Sequence, residues 1–172
     1  MSKAPLPIKV DPRRSADHGL SYDGSLPLLR LERLTSYLVD AEGEIKVSLS
    51  FGIDEEKIRH LHGTAEVSVR MLCQRCLEPV TIPLRAELHL GIVKDDEAAG
   101  MLPRRYDPLV VIDNELDVNQ AIEDELILTL PLIASHQGCS IKTDFLDPNA
   151  KSDGVDKENP FNVLAQLKGN KH

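Results

Sequence analysis

The 172-residue sequence has no tryptophan, three phenylalanines and three tyrosines. So few aromatics leave little for the platforms on which single-strand RNA binders stack successive bases. They also leave the core to Leu, Ile and Val, within a hydrophobic content of 41%. No run approaches the ~18–20 apolar residues that a membrane-spanning helix needs. The opening MSKAPLPIKV lacks the apolar stretch of a secretory leader. A cytoplasmic chain without membrane contact is therefore expected. Cysteines are few as well: Cys73, Cys76 and Cys139. An odd number that includes a CxxC fits a reducing compartment better than a disulfide framework. Phosphate-binding glycine loops, HExxH and GxSxG are all missing. The histidines at 18, 60, 62, 89, 136 and 172 match no catalytic signature, so no enzyme activity is expected. His60 and His62 are a weak pair of metal ligands, or plain residues of a strand edge or loop.

What charge there is lies unevenly. Net charge is −8. Residues 1–105 hold 15 Lys and Arg against 16 Asp and Glu, whereas residues 106–172 hold 5 against 12. Nonspecific nucleic-acid affinity is mainly electrostatic, so an acidic chain needs a local basic patch to hold RNA. The candidates for RNA contact are Arg70, Arg75, Arg85, Arg104 and Arg105, with Lys9, Arg13 and Arg14 nearer the start. Ordinary solvated surface charge is the competing reading of each.

Periodicity gives the organisation. Residues 1–24, rich in Pro, Gly and Asp, read as an extended arm. Leu31, Leu34 and Leu38 fall at helical spacing within residues 26–39. Strict alternation follows: Ile45, Val47, Leu49, Phe51 and Ile53, then Ala65, Val67, Val69 and Met71, then every second residue from Val80 to Ile92. One apolar face and one wet face is the mark of antiparallel strands. Pro83 lacks a donor, which demands an edge or a bulge at that point. Residues 95–108 read as a charged, flexible loop and 109–112 as an edge or return strand. Asp117 with Gln120 three residues on resembles a capping box opening a helix that Pro131 ends. Residues 147–159 are nearly devoid of apolar side chains and read as a flexible linker. Beyond them Phe161, Leu164 and Leu167 are three apart, as in a short amphipathic helix. The expected fold class is α+β: an antiparallel sheet of about four or more strands packed by a few helices. One domain is expected over residues 1–146, with the linker and short motif over 147–172.

Between the second and third alternating runs stands Cys73-Gln-Arg-Cys76, in the connection of a hairpin. A CxxC in a tight turn brings two sulfurs to one side. His136-Gln-Gly-Cys139 would supply a second pair, with Gly138 giving the backbone the freedom a knuckle needs. Cys73, Cys76, His136 and Cys139 would then fill a tetrahedral zinc completely, a structural arrangement with no position left for substrate. Two buried thiols beside a surface histidine, or a redox pair, remain as readings. The βαβ context of a redox CxxC is missing, because Pro79 and a strand follow. Glu123, Asp124 and Glu125 are either solvated helix surface or an acidic docking face. Consecutive helical residues point about 100° apart, so the three share no face.

In this order, PLPIKVDP, SFGID, GTAEVSVRMLCQRCLEPV, AIEDELILTLPLIASH and ENPFNVLAQLK resemble the bacterial YceD family, the large ribosomal RNA subunit accumulation proteins. The resemblance spans nearly the whole chain. It implies a part in the synthesis, processing or stability of 23S ribosomal RNA and no catalytic residue. The matching positions are Cys73 and Cys76, Glu123, Asp124 and Glu125, and Asn159, Pro160 and Phe161. Some members look richer in cysteine in the second segment, where this chain offers His136 and Cys139. The first reading is a non-enzymatic factor; the acidic charge points to a basic ribosomal protein or another ribosome-biogenesis protein as its partner, with direct 23S contact as the alternative. A metal-dependent RNA-processing enzyme is the third reading. Glu123, Asp124 and Glu125, with Pro160, Phe161 and Leu164 of the terminal motif, are the candidate docking residues.

Overall fold

Alternation becomes a sheet in the computed structural model, which describes residues 6–111 and 113–140. The described residues all fall in one unit, Met1–Ser140. The linker over 147–159 and the terminal motif, including Pro160, Phe161 and Leu164, lie outside the described residues.

The principal strands are β2 (Ser21–Pro27), β3 (Glu44–Ile53), β4 (Arg59–Leu72), β5 (Pro79–Val93) and β6 (Asp107–Val110). They lie in chain order across one five-stranded sheet. Ile45, Val47, Leu49 and Phe51 of β3 point into the core with 0–3% of their surface exposed. Leu61, Ala65, Val67 and Val69 of β4 and Leu84, Ala86, Leu88 and Leu90 of β5 continue that face. Gly63 shares it, and no side chain would fit there. A Cβ would stand 2.6 Å from the Ser48 carbonyl and 2.7 Å from Leu49 Cδ2. The opposite face is polar, carrying Ser48, Ser50, His60, His62, Thr64, Arg85, Glu87 and His89.

Helices cover the apolar face. α1 (Pro12–Asp17) packs on β3 and β4, and α4 (Val118–Leu128) packs on β5. Both open as their sequences dictate. Asp11 accepts from the Arg14 amide at 3.0 Å with Pro12 at the first helical position. Asp117 accepts from the Gln120 amide at 3.1 Å. The short α2 (Glu32–Thr35) is tied to α4 by Glu123. That carboxylate accepts from the Leu34 amide at 3.0 Å and from Arg33 Nε at 2.9 Å. A two-stranded ribbon of β1 (Lys9–Val10) and β7 (Leu116–Asp117) joins the chain start to the entry of α4.

Several expectations change. Residues 6–24, taken as an extended arm, hold β1, α1 and the start of β2. Six residues with a good cap and a buried underside at Pro12, Ser15 and Ala16 are enough for a helix once β3 and β4 lie beneath it. The helix expected within 26–39 is shorter, a 3-10 turn at Leu28–Arg30 followed by α2. The loop over 95–108 is structured. It carries α3 (Asp96–Ala99) and lays Leu102 and Tyr106 over Gly91, where a Cβ would meet Leu102 at 2.8 Å. That crossover brings β6 back parallel to β5, not antiparallel.

Pro83 sits on an edge after all, inside the longest strand. β6 pairs only with residues 90–93, so β5 has no second neighbour at Pro83 among the described residues. The β4–β5 register runs from His60↔Gly91 to Leu72↔Pro79 without a bulge. The Glu78 carbonyl faces Cys73, while the Val93 carbonyl faces Val111. Odd-numbered residues of β5 therefore turn their backbone groups away from β4. The donor that Pro83 lacks would have pointed to the open side.

Candidate metal centre

β4 ends at Leu72, and the chain turns at once. The Cys73 amide donates to the Glu78 carbonyl at 2.9 Å, and the Leu77 amide donates to the Cys73 carbonyl at 3.0 Å. Leu77 takes φ +59°, a left-handed conformation that costs a residue with a Cβ roughly 1 kcal/mol. The turn is held from outside by residues 132–140. The Gln74 amide donates to the Ala134 carbonyl at 2.9 Å. Arg75 Nη2 donates to the His136 carbonyl at 2.6 Å. Gly138, at φ +79°, lets the second segment fold Cys139 back beside His136.

Four donor atoms of Cys73, Cys76, His136 and Cys139 lie within 4.8 Å of one another. The sulfurs of Cys73 and Cys139 are 3.6 Å apart, and Cys76 Sγ is 3.3 Å from His136 Nδ1. Ligands 2.3 Å from a tetrahedral zinc stand about 3.8 Å apart, and a sulfur and a nitrogen somewhat closer. The spacing fits such an ion. His136 Nε2 lies 3.1 Å from the Pro79 carbonyl and donates to it, which leaves the lone pair on Nδ1 facing the sulfurs. The Cys73 thiol is held down to about 5, first by the Cys76 amide and further by the Arg75 and His136 amides, against its burial. At Cys76 the Glu78 amide favours the thiolate, but burial and the Cys73 and Cys139 sulfurs outweigh it and push the thiol up. One thiolate is ready and the next is opposed by its neighbours, a repulsion that a dication removes.

The other sequence candidates do not gather into one patch. Arg70 pairs with Asp40 at 2.8 Å. Arg85 is held by Glu66 and Glu87. Arg105 pairs with Asp54 at 2.9 Å and Glu56 at 3.1 Å. Arg75 belongs to the cysteine cluster, and Arg104 is exposed. The carboxylate triplet also separates. Glu123 is buried as the α2–α4 tie, which removes it from both the solvated and the docking readings. Asp124 is exposed and pairs with Arg33 at 2.7 Å. Glu125 is half-buried, and burial first, then Asp107 and Asp124, push its carboxyl up.

A second cluster was half legible in the sequence, which offered His60 and His62 as a weak pair but did not join His89 to them. His60 and His62 lie on the polar face with ring centroids 4.4 Å apart, and His89, directly opposite His62, is 4.9 Å from it. Tyr106 stacks on His60 at 5.9 Å. The signal was present: a hairpin turning at Cys73–Glu78 places position 62 against position 89. Gly52 leaves room for the His60 ring, which a Cβ there would approach to 3.0 Å. Burial foremost, then His60 and His89, hold His62 below the ordinary histidine range.

Comparison with known proteins follows the same residues. Residues 61–168 match the family described as Large ribosomal RNA subunit accumulation protein YceD. Across 98% of this chain and 99% of the relative, the sequence is 35% identical to the Large ribosomal RNA subunit accumulation protein YceD of Haemophilus influenzae. No solved structure matches. The match takes in β4 from Leu61 onward, β5 and both halves of the cysteine cluster, and with the full-length likeness it establishes that this chain belongs to the YceD family.

Proposed function

We propose that this chain supports accumulation of the large (23S) ribosomal RNA without catalysing a reaction, acting chiefly through a basic protein partner. The family and the relative's name, which speak of accumulation of the large ribosomal RNA subunit, support this reading. The observation that carries the mode of action is the state of the arginines. Arg70, Arg85 and Arg105 each face a carboxylate, so their charge is largely spent within the molecule. The carboxyl of Glu125 in α4 is instead pushed up by its burial and then by Asp107 and by Asp124, which itself pairs with Arg33, and a basic partner would relieve the part that is repulsion. Pro160, Phe161 and Leu164 are proposed as a second docking element. The four-donor cluster is proposed to hold a structural zinc that ties the β4–β5 hairpin to residues 134–139. Zinc would cross-link there, with its positions filled by protein.

The test is affinity capture of the full chain from cells, with and without ribonuclease. A ribosomal or assembly protein retained after ribonuclease supports the proposal, and charge reversal at Asp124 and Glu125 should release it. Capture that vanishes with the RNA, joined to a steep salt dependence for 23S fragments, would replace it with direct RNA binding. Turnover of precursor RNA by the pure protein would contradict the non-enzymatic reading.

A further inference from the structure

We propose that His60, His62 and His89 form a second metal site, an open three-imidazole site for a borderline divalent ion such as zinc, cobalt or nickel. The inference does not depend on the proposed ribosomal role, and its test starts from the cysteine cluster filled with zinc, as proposed above. From position 62 to position 73 the strand advances roughly 35 Å at ~3.3 Å per residue, so the two sites would be separate.

The register builds the ligand set. Residues two apart on a strand share a face, and the residue opposite on the next strand stands beside them. His60, His62 and His89 occupy those three positions, with ring spacings of 4.4 and 4.9 Å. Imidazole is the side chain that such ions take most readily.

The rings also have bonding capacity to spare. His60 Nδ1 and His62 Nε2 are buried and have no hydrogen-bond partner. A buried polar atom left unmet costs about 1–3 kcal/mol, and two adjacent ones on one cluster leave capacity that a bound ion would fill. Tyr106, stacked on His60, screens one side, and its hydroxyl is turned away to Asp54 at 3.1 Å. On the other side His62 and His89 open onto a hollow lined by Ser48, Ser50, Thr64 and Glu87. Three protein ligands and an open face leave a position for water or an anion beside those groups. Only the cysteine cluster already has its donors within 4.8 Å among the described residues. The histidine row would close by rotation of the His89 ring, which is exposed.

The experiment uses untagged full-length protein loaded first with one equivalent of zinc, then titrated with cobalt(II). Uptake of a further equivalent is expected, with a visible ligand-field spectrum that lacks a thiolate-to-cobalt band. Paramagnetic broadening should fall on residues 60–62 and 89. His62→Ala and His89→Ala should each abolish this uptake and keep the melting temperature of the zinc-loaded parent, while His172→Ala should leave it intact. No uptake by the zinc-loaded parent overturns the proposal. So does uptake that survives in the double variant, or broadening centred elsewhere. A thiolate band would place the ion at the cysteines, and would equally overturn it.

Discussion

The two ends of the β4–β5 hairpin are held by different means. Over the body of the sheet, 25 buried residues from strands and helices form one apolar cluster. At the hairpin tip the buried set is Cys73, Val80 and Ala134, with Met71, Cys76, Ile82 and Cys139 packed at its margin. Burying one aliphatic side chain contributes about 1.5–3 kcal/mol. The first region can hold itself by area alone. The second cannot, and relies on directional groups: the bonds from the Gln74 amide and the Arg75 side chain to backbone carbonyls, and the four clustered donors. A strand pair that outruns its helices must find another way to order its turn.

The largest test of this contrast lies in the sheet. Leu88→Ala removes a fully buried side chain and should lower global stability by about 2–5 kcal/mol, measured by urea denaturation. A loss below that range would mean the core is looser than its burial implies. Cys76→Ser, or a strong chelator, should act locally. Amides of 73–80 and 134–139 should exchange roughly tenfold faster or more, while Leu61 and Leu88 keep their protection. Equal loosening everywhere would show that the two regions are one cooperative unit.

Glu123→Gln tests the joint between α2 and α4 and should cost about 1–2 kcal/mol. The figure is kept low because Arg33 is half exposed and its pairing is screened. No change would make Glu123 a passenger. The smallest effect concerns the β3–β4 turn. Burial opposes ionisation of Asp54, but Arg105, the Ile58 amide and the Tyr106 hydroxyl outweigh it and hold the carboxyl at about 2, against 3.8 for the free group. A depressed carboxylate stabilises fully above its unfolded value and loses that contribution as pH falls through its folded one. The parent should therefore weaken from about pH 4 down to about pH 2, and Asp54→Asn should lose that part of the acid profile.

The sequence carried the sheet because each strand is wet on one side. Ile45 to Phe51 and Val80 to Leu90 could alternate in no other fold element. The donor set was legible for a related reason: a hairpin centred on Cys73–Cys76 left one HxxC to meet it. Two misses were local, α1 and α3, whose caps at Asp11 and Asp95 stood in stretches rich in Pro, Gly and charge, and the rest were long-range. Glu123 is buried because α2 arrives above it, which no spacing within α4 announces. The parallel return of β6 depends on Leu102 and Tyr106 seating against Gly91. The histidine row required strand register before composition could speak, since His89 gains its neighbours only across the ladder.

Pro83 has a bearing on how the molecule behaves in a crowd. From Pro79 to His89, β5 offers an edge with no strand against it among the described residues, the kind of surface on which a second chain can add itself. The groups facing outward there belong to odd-numbered residues, and at position 83 the row of donors is interrupted. A neighbouring strand would meet a missing rung midway and could not zip along the full length. One imino acid thus works as a safeguard against self-templating, at a point where it breaks no bond the fold itself needs.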